Sequence, residues 1–149
     1  MRIAVFGGGG FIGKEFVKRA PKEHGIFLFN RPEADILKPE SFREKLKEVN
    51  PDVIVNLSAL IGTLLKSASV KEMFETNTMG SLNLAYVARE AGAKSYIYTS
   101  STVVHGENKK GEHHGRFDGF APKHPYSTSK AAAEYGLEQF SKEQKDMTI

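Results

Sequence analysis

No cysteine occurs among the 149 residues, so neither a disulfide framework nor a thiolate metal site is available to this chain. A run of eighteen apolar residues is also missing, and with it the hydropathy signature of a membrane-spanning helix. An excess of one charge is scarce too. The 21 basic and 18 acidic side chains leave a net +3, and they are interspersed, without the arm or stripe that grips nucleic acid. The opening residues carry one arginine and a short apolar run, but glycines follow at once and no small-residue cleavage site appears. They read as a buried strand entering a turn, not as a signal peptide. These absences make the cytoplasm the default location and set aside nucleic acid and membrane as partners.

What is present is an ordinary globular composition, 40% hydrophobic and 26% charged, on a length that suits one domain and is too short for two. Residues 1–149 are therefore expected to form a single domain. Short apolar runs alternate with helical periodicity. Strands are expected at 2–6, 26–29, 52–57 and 94–99. Helices are expected over 11–20, with Ile12, Phe16 and Ala20 along one face, between Pro39 and Pro51, over 70–91 as one long element capped by Gly92, and over 126–140. The tail DMTI reads as the start of one more strand. Alternating strands and helices predict an α/β fold with a parallel sheet and a ligand site at the strands' carboxyl ends. The stretch 105–125, rich in Gly, Lys and His, reads as a long loop.

Two constellations carry chemistry. Gly7, Gly10 and Gly13 form GxxGxxG between the first strand and the first helix. Glycines there permit positive φ, let backbone N–H groups approach a pyrophosphate, aim a helix N-terminus at it, and let helix and strand pack closely. A glycine-rich turn without a ligand would need only the first of these properties. The second constellation is Tyr126 and Lys130, a YxxxK pair sharing one helix face. A phenol is a poor base near neutrality, and a neighbouring ammonium favours the phenolate. Such a tyrosine can exchange a proton with a substrate hydroxyl while hydride moves to or from a nicotinamide. Twenty-five residues upstream, the strand KSYIYT runs into SSTVVHG, and a hydroxyl at that strand end can orient a substrate oxygen.

Glycine turn, serine and YxxxK occur here in the order of the extended short-chain dehydrogenase/reductase family, which this chain resembles over essentially its whole length. Within it the likeness is nearest to dTDP-4-dehydrorhamnose reductases and GDP-fucose synthases, members of the NAD-dependent epimerase/dehydratase group. The resemblance implies a Rossmann-like, doubly wound parallel sheet that binds NAD(P). It also implies a nucleotide-linked sugar as substrate and a homodimer as the complete protein. Aligned on Val104 and Gly106, the SSxxVYG segment of that family puts the catalytic hydroxyl on Ser101, with His105 where a tyrosine is usual. Ser101, Tyr126 and Lys130 are then the catalytic residues. Cofactor contacts carried over from the resemblance are Gly7, Gly10, Phe11, Ile12 and Gly13 in the turn; Asn30 and Arg31 after the second strand; Asp35 and Ile36 at the adenine; Leu57, Ser58 and Ala59 beneath the cofactor; and Asn77, Thr99, Tyr126 and Lys130 near the nicotinamide. Asn77 is read as structural or proton-relaying.

An acidic residue at the end of the second strand would select NAD. This chain has Asn30 and Arg31 there, and an arginine can pair with a 2′-phosphate, which inclines the reading slightly toward NADP. His113, His114, His105 and Glu112 lack metal-ligand spacing, and no metal is expected. Extended members are about twice this length, so the last strands and the substrate lobe are expected to be missing from these residues. Reduction, epimerisation and dehydration remain open, as does a hydroxy-ketone substrate without a sugar. The alternative class is a non-catalytic NAD(P)-binding regulatory subunit related to dTDP-4-dehydrorhamnose reductase.

Overall fold

Residues 1–62, 68–106 and 119–149 are described in a computed structural model of the chain. The apolar runs fold as four strands, Arg2–Phe6 (β1), Gly25–Phe29 (β2), Val53–Asn56 (β3) and Ser95–Tyr98 (β4). All pair in parallel, in the order β2-β1-β3-β4. The tail adds a parallel bridge between Thr148 and Ser95, with the Tyr96 N–H donating to the Thr148 carbonyl at 2.8 Å. This is the strand start expected from DMTI. The chain leaves β1 toward β2 and then returns past it to β3. The carboxyl ends of β1 and β3 therefore flank the point where the winding reverses, the place where open α/β sheets take ligands.

Five α-helices connect the strands: Phe11–Arg19 (α1), Arg43–Val49 (α2), Val70–Phe74 (α3), Gly80–Glu90 (α4) and Pro125–Glu143 (α5). The two-residue alternation of strand side chains sorts the core into two layers. Ala4, Phe6, Ile54 and Tyr96 belong to the larger layer, with Leu46 of α2, Leu84 and Val87 of α4, and Leu137 and Phe140 of α5. Phe6 stacks on Phe29 at 4.7 Å and meets Phe42 edge-on at 5.0 Å. Ile3, Val5 and Val55 form the smaller layer, with Phe16 of α1 packed against it.

Two expectations need correction. The apolar face expected on α1 is not sealed: Ile12 is 57% exposed and Phe16 only half-buried. The residue α1 does bury is Gly13, because the helix is drawn onto the glycine turn, and Ile12 and Phe16 instead line an apolar groove of about 1310 Å³ with Val53 and Ile97. This groove holds none of Ser101, Tyr126 or Lys130. The second correction concerns 70–91. It is helical throughout, but Glu75–Met79 forms a π turn between α3 and α4, inserting one extra residue per turn that apolar spacing does not reveal. Its start is fixed by a capping box, with the Glu72 N–H donating to Ser69 Oγ at 3.2 Å and the Ser69 N–H to Glu72 Oε2 at 2.8 Å. Its end is Gly92 at φ +81°, as anticipated. α5 runs three residues beyond the expected end, with Pro125 in its first turn. Thr102–His105, leading into the expected loop, is a 3₁₀ turn.

Candidate active site

The glycine turn is closed by its own backbone. Gly7 adopts φ +80°, and its N–H donates to the Phe29 carbonyl at 3.2 Å while its carbonyl accepts from the Gly10 N–H at 3.0 Å. A Cβ at Gly7 would lie 2.9 Å from the backbone of Leu57 and Ser58. One at Gly13 would lie 2.4 Å from the Gly7 carbonyl oxygen and 2.5 Å from Gly8 Cα. The second is the close packing of helix on strand that the glycine spacing implied, and the first sets the turn against the chain leaving β3. No side chain caps α1 and no acidic residue occupies its first turn. The positive end of the helix dipole is thus left for an anion from outside the chain.

Beside the turn lies a cavity of about 170 Å³. Gly7 and Gly10, Asn30 and Arg31, Asp35 and Ile36, and Leu57 through Ala59 line it, so residues far apart in the chain are gathered there. Phe29, Ala34 and Thr76 line it as well. None of the three stood out in the sequence, since Phe29 reads as the last core residue of a strand. Asn30 folds back and accepts from the Gly9 N–H at 2.8 Å, while Arg31 is exposed and precedes the cis peptide to Pro32. Asp35 spends one oxygen on the Leu37 N–H at 3.0 Å. Phe11, 96% exposed, and Ile12 lie outside this cavity.

The floor is a polar network. Asn56, fully buried, donates to Ser81 Oγ at 3.1 Å and to the Tyr96 hydroxyl at 2.8 Å, and accepts from the Ser58 N–H at 3.0 Å. Tyr96 in turn donates to the Ser81 carbonyl at 3.0 Å, and burial pushes its phenol well above the usual range. Asn77, in the π turn, is the clamp between two elements. Its Oδ1 accepts from the Leu60 N–H at 2.7 Å, and its Nδ2 donates to the Leu60 carbonyl at 3.0 Å and to Ser129 Oγ at 2.9 Å. Thr78 adds a bond from its hydroxyl to the Ser129 carbonyl at 2.8 Å. The loop after β3, which walls the cavity, is thereby tied to the helix that carries Tyr126 and Lys130.

Lys130 is 1% exposed. Its ammonium donates to the Thr99 carbonyl at 2.6 Å and lies 4.1 Å from the centre of the Tyr98 ring. Burial lowers its pKa from 10.5 to about 8, a fall opposed by the carboxylate of Glu134. Tyr126 stands one turn earlier on α5, half-buried. Ser101 follows β4 in extended conformation and its carbonyl accepts from the Val104 N–H at 3.2 Å. The neighbouring Ser100 is already engaged by Glu134, a tie that the Ser101 hydroxyl does not share. His105 sits 5.9 Å from Phe120, where the chain returns with the Ala121 N–H on the Val104 carbonyl at 3.0 Å. Glu112, His113 and His114 lie outside the described residues.

The sequence profile of the NAD dependent epimerase/dehydratase family matches residues 3–149. UDP-glucuronic acid decarboxylase 1 of Arabidopsis thaliana is 25% identical over 154 residues, covering 90% of this chain and 35% of that protein. The 3 beta-hydroxysteroid dehydrogenase/Delta 5→4-isomerase of Vaccinia virus (strain Ankara) is 29% identical over 155 residues, covering 88% and 44%. Among solved structures, a UDP-glucose 4-epimerase from Thermotoga maritima with UDP-glucose superposes with a TM-score of 0.88 at 24% identity, over 99% of this chain and 53% of that one. The chain spans about a third to a half of the length of these proteins.

Proposed function

The chain belongs to the NAD-dependent epimerase/dehydratase family, and from that premise we propose that residues 1–149 form the NAD(P)-binding domain of an oxidoreductase or epimerase/dehydratase acting on a nucleotide-linked sugar. The observation that carries this reading is Lys130, buried on α5 and bonded to Thr99 at the end of β4. It brings the helix of Tyr126 against the strand end that carries Ser101. The residues present fit a dinucleotide: a helix N-terminus without a cap, and a turn whose Gly7 and Gly13 have no room for a Cβ. Gly7, Gly10, Phe11, Ile12 and Gly13 would hold the pyrophosphate. Asn30, Arg31, Asp35 and Ile36 would hold the adenosine, and Leu57 to Ala59, Asn77 and Thr99 would flank the nicotinamide side.

When bound, the nicotinamide supplies the acceptor or donor of hydride. The chain's own residues handle the proton and the orientation. Ser101 donates a hydrogen bond to the substrate oxygen and fixes it against Tyr126. The Tyr126 hydroxyl takes or returns the proton of that oxygen as a general acid/base. Lys130 supplies a positive charge one turn away on the same helix, and would also reach the ribose. Arg31, exposed beside the cavity, would pair with a 2′-phosphate, the basis for a slight inclination to NADP. The complete protein is proposed to act as a homodimer in the cytoplasm.

The likeness to a steroid dehydrogenase/isomerase favours a second reading, in which the same serine, tyrosine and lysine act on a ring hydroxyl without a sugar nucleotide. Titration with NADPH and NADH, followed by cofactor fluorescence, is the first test. The folded chain is expected to bind at least one, with NADPH the tighter. Failure of a folded chain to bind either would overturn the cofactor assignment. Binding without turnover on UDP-sugars or hydroxysteroids in the protein that carries the substrate lobe would favour a regulatory subunit.

A further inference from the structure

Lys130 needs a counter-charge, because an ammonium taken out of water without one is driven to give up its proton. Its direct contacts are neutral, the Thr99 carbonyl and the face of Tyr98. The ionisable groups facing this corner are few. From β4 come Tyr96 and Tyr98, whose phenols burial pushes up. From α5 come Tyr126 and Glu134, both within electrostatic reach of Tyr98. From the π turn come only the neutral Asn77 and Thr78, both engaged by Ser129. Among the described residues two carboxylates line the adjoining cavity: Glu138 is paired with Lys142 at 2.7 Å, and Glu134 is the one whose charge acts on Lys130. It follows Lys130 by four residues, so the two share a helix face, and it also accepts a hydrogen bond from Ser100. Ser100 is flanked by Thr99, whose carbonyl receives Lys130, and by Ser101.

We propose that Glu134 is a positioning residue for Ser101, Tyr126 and Lys130: its carboxylate is the counter-charge of the buried lysine and, through Ser100, fastens the carboxyl end of β4 to α5. This rests on the functional reading above for its consequence, but not for its test. Glu134 lines a cavity with Ser100, Tyr98 and Leu137, and that lining includes none of Ser101, Tyr126 and Lys130. With the carboxylate in place, Lys130 retains its proton through neutral pH and its bond to Thr99 keeps α5 in register with the strand end. Without it, the lysine would give up its proton at a lower pH.

The test follows the side-chain εCH₂ resonance of Lys130 by NMR through a pH titration of the chain, the resonance assigned with Lys130→Arg. The wild-type midpoint is expected near the value of about 8 set by burial against Glu134. Glu134→Gln retains an acceptor for Ser100 and removes the charge, and is expected to lower the midpoint by about one unit. Glu134→Asp should restore most of it. Ser100→Ala keeps the charge and removes the tie. It should leave the midpoint in place while amide exchange over 99–104 accelerates by about tenfold, the loss of one hydrogen bond. A midpoint unmoved by Glu134→Gln overturns the counter-charge, and unaltered exchange in Ser100→Ala overturns the fastening. Should Glu134→Gln not fold, Glu134→Ala is read in the same way, and a midpoint unmoved there overturns the first point equally. None of these readouts needs bound cofactor or turnover, so failure of the oxidoreductase reading would show separately, as absent nucleotide binding in the wild type.

Discussion

Replacing Asn77 by alanine removes three hydrogen bonds, of 2.7, 3.0 and 2.9 Å, that tie Leu60 and Ser129 together. The Ser129 hydroxyl keeps its bond to the Tyr126 carbonyl at 2.8 Å, and Leu60 is only half-buried, so water can reach part of what is exposed. The loss is then close to the net worth of three ordinary bonds, about 3 kcal/mol, and not the larger cost of three stranded groups. Urea denaturation should show a midpoint lowered by about 1.5–2 M at a slope usual for this size, and thermal melting a fall of roughly 6–12 °C. Thr78→Val, which removes the single bond to the Ser129 carbonyl, should cost about 1 kcal/mol. Since Leu60 continues the loop that walls the cavity, Asn77→Ala should also weaken NADPH binding, whereas Thr78→Val should scarcely change it. A loss below about 1 kcal/mol for Asn77→Ala would refute the view of Asn77 as a clamp and return it to solvent-mediated roles.

Gly13→Ala places a methyl 2.4 Å from the Gly7 carbonyl oxygen; either the fold is lost by circular dichroism or the turn is displaced and nucleotide binding falls by at least about tenfold, equivalent to 1.4 kcal/mol. Tyr126→Phe, in the protein with its substrate lobe, should abolish turnover while nucleotide affinity stays near normal; retained turnover would remove the proton-transfer role. Arg31→Ala should weaken NADPH more than NADH in the same fluorescence titration, and equal losses would remove the inclination to NADP. The lowered pKa of Lys130 has a signature in stability. Between the folded value of about 8 and the free value of 10.5, the unfolded chain binds a proton that the folded chain does not, so stability should rise with pH across that window. Below pH 8 the penalty of the buried charge is fully present. Against Lys130→Met, the wild type should gain up to about 1.4 kcal/mol per pH unit from 8 to 10.5, and parallel profiles would refute it.

Legibility in the sequence followed the range of the interactions involved. The strands, the glycine turn and the cap at Gly92 depend on a handful of neighbouring residues, and pattern alone located them. The coarse order of the fold followed, because alternating strands and helices admit few windings. The π turn at Glu75–Met79 was hidden, since one extra residue in a helix leaves apolar spacing almost unchanged. The exposure of Ile12 was hidden too: periodicity says that a face is apolar but not whether anything covers it. Thr76 and Phe29 at the cavity owe their place to loops that meet from three strands. Glu134 reads as an ordinary helix-surface acid until α5 is laid beside Ser100, a contact 34 residues apart.

The π turn also decides how this stretch tolerates change in length. Each helical residue turns the chain by about 100°, so the extra residue in Glu75–Met79 sets the two halves of one rod out of phase. The half before it faces α5, and the half after it faces α2 and β4 as well. A one-residue deletion in a surface loop is usually absorbed locally. Here it would restore a regular helix and turn Asn77, Ser81 and Leu84 away from their partners by a quarter-turn or more. Residues 75–79 thus act as a phase marker for the gene, where substitutions at exposed positions pass freely and single-codon deletions do not.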